Sequence, residues 1–207
     1  MKWVRSYPFC GVALPPTWPL VKAPARVKRA DSLWNNRLMN ARWIRLGSMS
    51  AADFEAACGQ LAQAQAPRAR PIVAWAQDDE AYRFAIIAPR RVAPGRPTRW
   101  LSWGLAPAVA TYRQFGVPAY FHGDGDGIAL HGRRIAPATL REIGECVVIG
   151  ASFLARFPDA CLATPSGELE EAFRLRLEAQ HGWQFDTCWP SEHERATPAR
   201  GYRPILS

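Results

Sequence analysis

The stretch from Gly116 to Phe153 consists of short apolar runs broken by Gly and Asp. That punctuation restricts it to strands joined by tight turns, because Gly and Asp accept the backbone angles that reverse a chain. Val117 to Phe121 is apolar and leads into His122-Gly123-Asp124-Gly125-Asp126-Gly127. An alternating run follows, Ile128-Ala129-Leu130-His131, then Gly132-Arg133-Arg134-Ile135-Ala136, and later a buried-looking run, Cys146 to Ile149. In an unbroken strand Asp126, Ile128, Leu130, Gly132 and Arg134 share one face, whereas a bulge at the glycines would turn Asp126 away.

Helices are signalled on either side. Ser50 with Asp53 three residues on forms a capping arrangement, and Phe54, Ala57, Cys58 and Leu61 recur on one face. A helix is therefore expected over Ser50 to Ala66, closed by Pro67. The spacing predicts a strand over Arg42 to Leu46, and two more over Pro71 to Ala76 and Tyr82 to Ala88, split by the acidic turn Asp78-Asp79-Glu80. A second helix is expected over Ala106 to Phe115, with Pro107 in its first turn, where a missing N–H costs nothing. Thr139 to Ile143 reads either as a short helix opened by Pro137 or as an alternating strand. A third helix spans Leu169 to Gln180 and stops at Gly182. The tail from Trp183 onward is polar and proline-bearing. The expected fold is α+β: a mixed, largely antiparallel sheet with helices packed on it.

The chain divides into a basic, proline-rich arm over 1–45, a core over 46–160 and a C-terminal helix with an aromatic tail over 161–207. The net charge of +8 is confined to the arm, since Met1 to Arg45 holds nine basic residues and one acidic, while the remainder holds 17 of each sign. Such an arm can follow a nucleic-acid backbone, acidic carrier proteins or anionic lipid, or simply be solvated. Apolar content of 48% suffices for a packed core. No run approaches the roughly 18 to 20 apolar residues of a membrane span, and prolines 15, 16 and 19 interrupt Phe9 to Val21, which argues against a secretory signal. Five cysteines, an odd count without a C-x-x-C pair, speak against a disulfide framework. These features are those expected of a cytoplasmic protein.

The order of elements over Ser50 to Phe157, and the run Gly132-Arg133-Arg134-Ile135-Ala136 followed by Val147-Val148-Ile149-Gly150, resemble the central sheet of biotin and lipoate protein ligases. In that family an Asp-ending turn leads to a strand carrying Gly-Arg-Lys-Leu/Ile-Ala-Gly, then to a Val-Val-Ile-Gly strand. The resemblance favours a strand over Thr139 to Ile143. It implies that Arg134 and Asp126 are the catalytic positions and that Gly132, Arg133, Ile149, Gly150 and Ser152 line the ligand pocket. It also implies lipoate, biotin or an acyl-adenylate as the bound group, and a lipoyl, biotinyl or other acyl-carrier domain as partner.

Two departures stand out. Arg134 occupies the position of the family's lysine and Pro137 that of the following glycine. Arginine keeps the charge but is bulkier and places it elsewhere. The region matching the family's Arg- and Gly-bearing loop is Trp75 to Glu80, which is acidic and lacks glycine, and carboxylates beside a nucleotide phosphate repel it. The resemblance therefore allows an acyl transferase or ligase relative, or a descendant that only binds. A nucleic-acid or ribonucleoprotein partner of the basic arm is the competing class.

Other constellations are weaker. His122, Asp124, Asp126 and His131 are ligand types for zinc or another transition metal, but the interleaved glycines account for the acidic residues as turn formers, and no metal is expected. Ser152 lacks the second glycine of a G-x-S-x-G elbow. The aromatic run from His181 to Pro190 either stacks on a ring or docks the last helix onto the core.

Overall fold

Parity along the strands decides the architecture. In β8 (Cys146–Leu154) Val147, Ile149 and Phe153 join one buried cluster, whereas Cys146 and Val148 join another. The strand is therefore buried on both sides, with helices covering both faces. The protein is described here by a computed structural model over residues 38–66, 69–123, 125–155 and 166–196. All of these belong to one compact unit, Asn36–Ser207. The N-terminal arm up to residue 37, with seven of its nine basic residues and its prospective nucleic-acid partner, lies outside the described residues, whereas Arg42 and Arg45 lie in the first strand and pair with Glu194 and Glu170.

The main sheet has six strands in the order β7-β8-β3-β2-β1-β9. β1 is Met39–Ser48, β2 is Ile72–Gln77, β3 is Ala81–Pro89, β7 is Thr139–Ile143 and β9 is Trp183–Cys188. β1 runs parallel to both β2 and β9, while β2–β3, β3–β8 and β7–β8 are antiparallel, so the sheet is mixed and mostly antiparallel as expected. A second sheet, β4-β5-β6, comprises Tyr120–Phe121, Gly127–Leu130 and Arg133–Pro137.

Helix α1 (Ala51–Gln63) begins where its cap predicts. The Ser50 hydroxyl accepts from the Asp53 N–H at 3.2 Å, satisfying one of the four open donors of the first turn. Its apolar face, Phe54, Cys58, Leu61 and Ala62, covers Ile44, Ile72, Ala74, Ile87 and Val148. Helices α2 (Trp100–Gln114) and α3 (Ser166–His181) contribute to the opposite side with the second sheet, and a short α4 (Glu192–Ala196) follows β9. On that side Phe173 of α3 meets the rings of Phe84, Phe153, Trp75 and Trp43 at centroid distances of 4.6, 5.2, 6.1 and 6.2 Å.

Four expectations change. α2 starts at Trp100, not near Ala106, so Pro107 lies inside the helix, not in its first turn. Burial overrides the proline rule there: Trp100 and Leu105 enter the core, and the Trp100 indole N–H donates to the Pro94 carbonyl at 2.6 Å. The tail is not merely polar, because β9 adds a strand and Trp183 is 2% exposed. β1 starts at Met39, so part of the stretch grouped above with the arm pairs inside the sheet. Finally, Asp126 to Arg134 is not one strand. The chain reverses at His131 and Gly132, which have φ of 48° and 78°. Successive positive φ values suit a two-residue hairpin turn, and Gly132 adopts its angle without steric cost. Thr139–Ile143 is a strand.

Candidate functional site

A cavity opens on the face of the sheet beneath α1. The β8 residues on that face are Cys146, Val148, Gly150 and Ser152, and Ile143, Arg141 and Thr139 of β7 stand opposite the first three by register. Arg83 and Ala85 of β3 complete the floor. A cavity of about 120 Å³ lies between these strands and Ala51, Phe54, Glu55, Cys58 and Gly59 of α1, with Pro137 at one end. Small residues create the space. Gly150 has a second role: a Cβ there would stand 2.7 Å from the Thr139 hydroxyl oxygen, so any larger residue would displace the Thr139 side chain.

The lining is partly charged. Arg141 is only 9% exposed and donates from Nη2 to Glu55 Oε2 at 3.1 Å. Burial pulls its pKa below the ordinary arginine value, and the Glu55 charge works against that fall. Arg83 donates from Nε and Nη2 to Asp78 Oδ2 at 2.9 and 2.5 Å, and Asp78 Oδ1 also accepts from the N–H groups of Glu80 and Ala81. The acidic turn is thus tied into the β2–β3 connection. Cys58 is fully buried beside the cavity, and desolvation raises its thiol pKa, which keeps it protonated and unreactive.

Sequence-expected residues fall into three places. Gly150 and Ser152 line the cavity. Ile149 faces the other way, 0% exposed, against Gly104 of α2. Asp126 and Arg134 do meet, but across the β5–β6 hairpin, not along one strand: Arg134 Nη1 donates to Asp126 Oδ2 at 2.7 Å. Asp126 Oδ1 lies 2.9 Å from His122 Nδ1, a partner that the residue order did not pair with it. Burial acts to raise the Asp126 pKa, but the His122 hydrogen bond and the Arg134 and His122 charges outweigh it and hold the carboxyl below its ordinary value. Gly132 and Arg133 sit at the exposed hairpin end, and Tyr120 accepts from the Gly132 N–H at 2.7 Å.

The array adjoins the cavity through the backbone. The Asp126 carbonyl accepts from Ala138 N–H at 2.9 Å, His122 N–H donates to Gly127 O at 2.9 Å, and Gly127 pairs with Pro137. Neither Arg134 nor Asp126 is among the cavity's lining residues. Chemically, the array can hold a proton: Asp126 fixes one imidazole nitrogen of His122 and leaves the other for exchange. Arg141 and Glu55 were missed in the sequence, although the alternation of Thr139, Arg141 and Ile143 already set an arginine among inward positions. A more open recess of about 490 Å³ between α2 and α3 carries Arg113 and Arg176. Its size is that of a surface groove, and both guanidinium groups are engaged, with Ala119 O and Gln114 Oε1.

No protein-family model and no curated protein sequence matches the chain. Solved structures do match in fold. Lipoate-protein ligase A bound with ATP has a TM-score of 0.66 at 11% identity, covering 78% of this chain and 93% of that one. A Thermoplasma acidophilum protein solved with bound lipoic acid has a TM-score of 0.64 at 12% identity, covering 78% and 94%. The bipartite lipoate protein ligase of the same organism, described with its E2 lipoyl domain, has a TM-score of 0.63 at 11% identity, covering 78% and 91%. The chain therefore has the fold of lipoate protein ligases, as its central motif implied. Among the described residues no helix is long and apolar enough to cross a membrane.

Proposed function

We propose that this chain is a divergent relative of biotin and lipoate protein ligases that binds a small acyl group in the cavity beneath α1, without ordinary ligase activity. The observation that carries the proposal is the cavity itself, floored by Gly150 and Ser152 on the strand that follows the family-like motif. The fold likeness to a protein solved with lipoic acid supports the choice of an acyl ligand. The likeness to a ligase described with its lipoyl domain supports an acyl-carrier domain as partner.

The same residues argue against adenylation. Forming an acyl-adenylate needs preorganised positive charge at the nucleotide phosphate, and each such missing contact costs on the order of 100-fold or more in rate. Arg134 is already engaged by Asp126 at 2.7 Å, and the turn that matches the family's basic loop holds Asp78, Asp79 and Glu80. If acyl transfer occurs, His122 serves as the proton carrier, with Asp126 as its positioning residue and Arg134 holding Asp126.

The proposal is tested by two measurements on the full chain. Pyrophosphate release with ATP and lipoate, octanoate or biotin is expected to stay at background, also after Arg134→Lys. Mass spectrometry of small molecules released from the purified protein is expected to find a carboxylic acid or its acyl derivative. Robust pyrophosphate release would overturn the loss of ligase activity. Absence of any acid, both copurified and on titration, would overturn the binding role.

A further inference from the structure

We propose that the recess between α2 and α3 is the docking surface for an acidic acyl-carrier domain, which seats an apolar side chain against Phe121 and carboxylates on Arg113 and Arg176. The inference rests on the carrier partnership proposed above and goes beyond it by naming the surface and the charge of the partner.

Helix periodicity builds the recess. On α2, Ala106, Val109, Ala110 and Arg113 recur at i, i+3, i+4 and i+7 and so share one face. Arg176 and Gln180, one turn apart on α3, line it from the other helix. Phe121 of β4 completes it with a ring that is 37% exposed. The surface is therefore apolar in part, with two guanidinium groups on it. Aromatic and arginine side chains are the two types that carry most of the binding at protein interfaces.

Charge selects the occupant. Arginines elsewhere, such as Arg42, Arg45 and Arg174, meet carboxylates. Among the described residues Arg113 and Arg176 meet neutral acceptors only. Arg113 Nε donates to Ala119 O at 2.8 Å, and Arg176 Nε and Nη2 donate to Gln114 Oε1 at 3.1 and 2.9 Å. The α3 carboxylates Glu171 and Glu178 pair with Arg174 instead. A partner's carboxylates would form stronger, charge-assisted bonds with these two groups than neutral oxygens do. The chain's own ends are the wrong sign: residues 1–37 hold seven Lys or Arg against one Asp, and residues 197–207 hold two Arg and no carboxylate. Like charges repel, whereas an acidic domain is complementary. Position then favours a carrier. Phe121 directly precedes His122, whose Nδ1 lies 2.9 Å from Asp126 Oδ1. The cavity beneath α1 extends to Pro137, which pairs with Gly127, the residue after Asp126. A domain seated on Phe121 thus lies beside the array that the acyl cavity adjoins, where an acceptor has to be brought.

The test is titration of the full chain with two isolated acidic carrier domains, one lipoyl and one biotinyl, both unacylated, followed by fluorescence anisotropy at low and high salt. At least one is expected to bind, more weakly at high salt. Arg176→Glu should weaken binding about 10-fold, and the double variant Arg113→Glu/Arg176→Glu about 100-fold. Phe121→Ala should weaken it about 10-fold. Arg96→Glu makes the same charge change at an exposed position outside the recess and should stay within about 2-fold of the parent. Arg176→Glu, at a partly exposed helix position, carries the test should the double variant fail to fold. Equal weakening by Arg96→Glu would make the attraction diffuse and overturn the surface. Binding that Arg176→Glu and Phe121→Ala leave unchanged would also overturn it, with the carrier partnership intact. Self-association of the chain that Arg176→Glu abolishes would put a second copy in the recess instead. Failure of both domains to bind would remove the surface and the carrier partnership together, while acid binding in the cavity is read separately by titration with free acids.

Discussion

The two faces of the main sheet are built from the same strands to opposite ends. Toward α2 and α3 the strands present Trp43, Trp75, Phe84, Ile149 and Phe153, all 5% exposed or less, and the rings pack on Phe173. Toward α1 they present Ala85, Val148, Gly150, Ser152, Thr139 and two arginines. Large rings leave no gap, because dispersion and burial both reward close packing. Small side chains under a helix leave a cavity, and the polar groups beside it have to be paired. The lesson lies in β8, where adjacent residues Ile149 and Gly150 belong to core and cavity by parity alone.

The strongest way to break this contrast is Phe173→Ala. It removes the ring on which four others converge, and large-to-small changes of this type cost about 3 to 5 kcal/mol. Ser152→Ala on the cavity face should change stability by less than about 0.5 kcal/mol. Urea unfolding of both variants checks the pair, and equal losses would sink the distinction between faces.

The next effect is pH-dependent. His181 sits between Trp103 and Trp183, at centroid distances of 4.6 and 4.7 Å, and its Nε2 is buried without a partner. Burial lowers its pKa to about 4. An unfolded histidine titrates near 6.5, so between about pH 6.5 and 4 the unfolded chain binds more protons and stability falls as pH falls. The loss amounts to about 3 kcal/mol across that window. His181→Phe should flatten the slope relative to the parent protein, and an unchanged slope would show that His181 does not cause it.

A smaller change probes how α2 meets the sheet. A Cβ on Gly104 would lie 2.6 Å from Ile149 Cδ1. Gly104→Ala should cost about 1 to 3 kcal/mol from overpacking. Combining it with Ile149→Ala should cost less than the sum of the single changes, and strict additivity would count against the contact. A more modest loss is expected on the α1 side, where Ser50→Ala removes the cap and should cost about 1 kcal/mol by thermal or chemical unfolding.

Much of the fold was legible because local chemistry and global structure agree. The Ser50 cap, the acidic turn before β3 and the stop of α3 at Gly182, whose φ is 67°, all form where their residues indicate. The central motif's resemblance to biotin and lipoate protein ligases implied a fold that the solved structures match. The site was legible only in part. Gly150, Ser152, Asp126 and Arg134 were identifiable as types in a motif, but their pairings were not, since a hairpin turn at His131 and Gly132 replaces the continuous strand.

By itself the amino-acid sequence determined the α+β class, the cap at Ser50 and the apolar face of α1, because periodicity and capping are properties of neighbours in the chain. Only the tertiary structure decided that Pro107 stays inside α2, that Trp183–Cys188 joins the sheet beside β1, that His122 shares Asp126 with Arg134, and that Glu55 meets Arg141 across 86 residues. The physical reason is common to all four. Burial and charge pairing act between groups that folding brings together, and their gain exceeds the local preferences that a chain shows on its own.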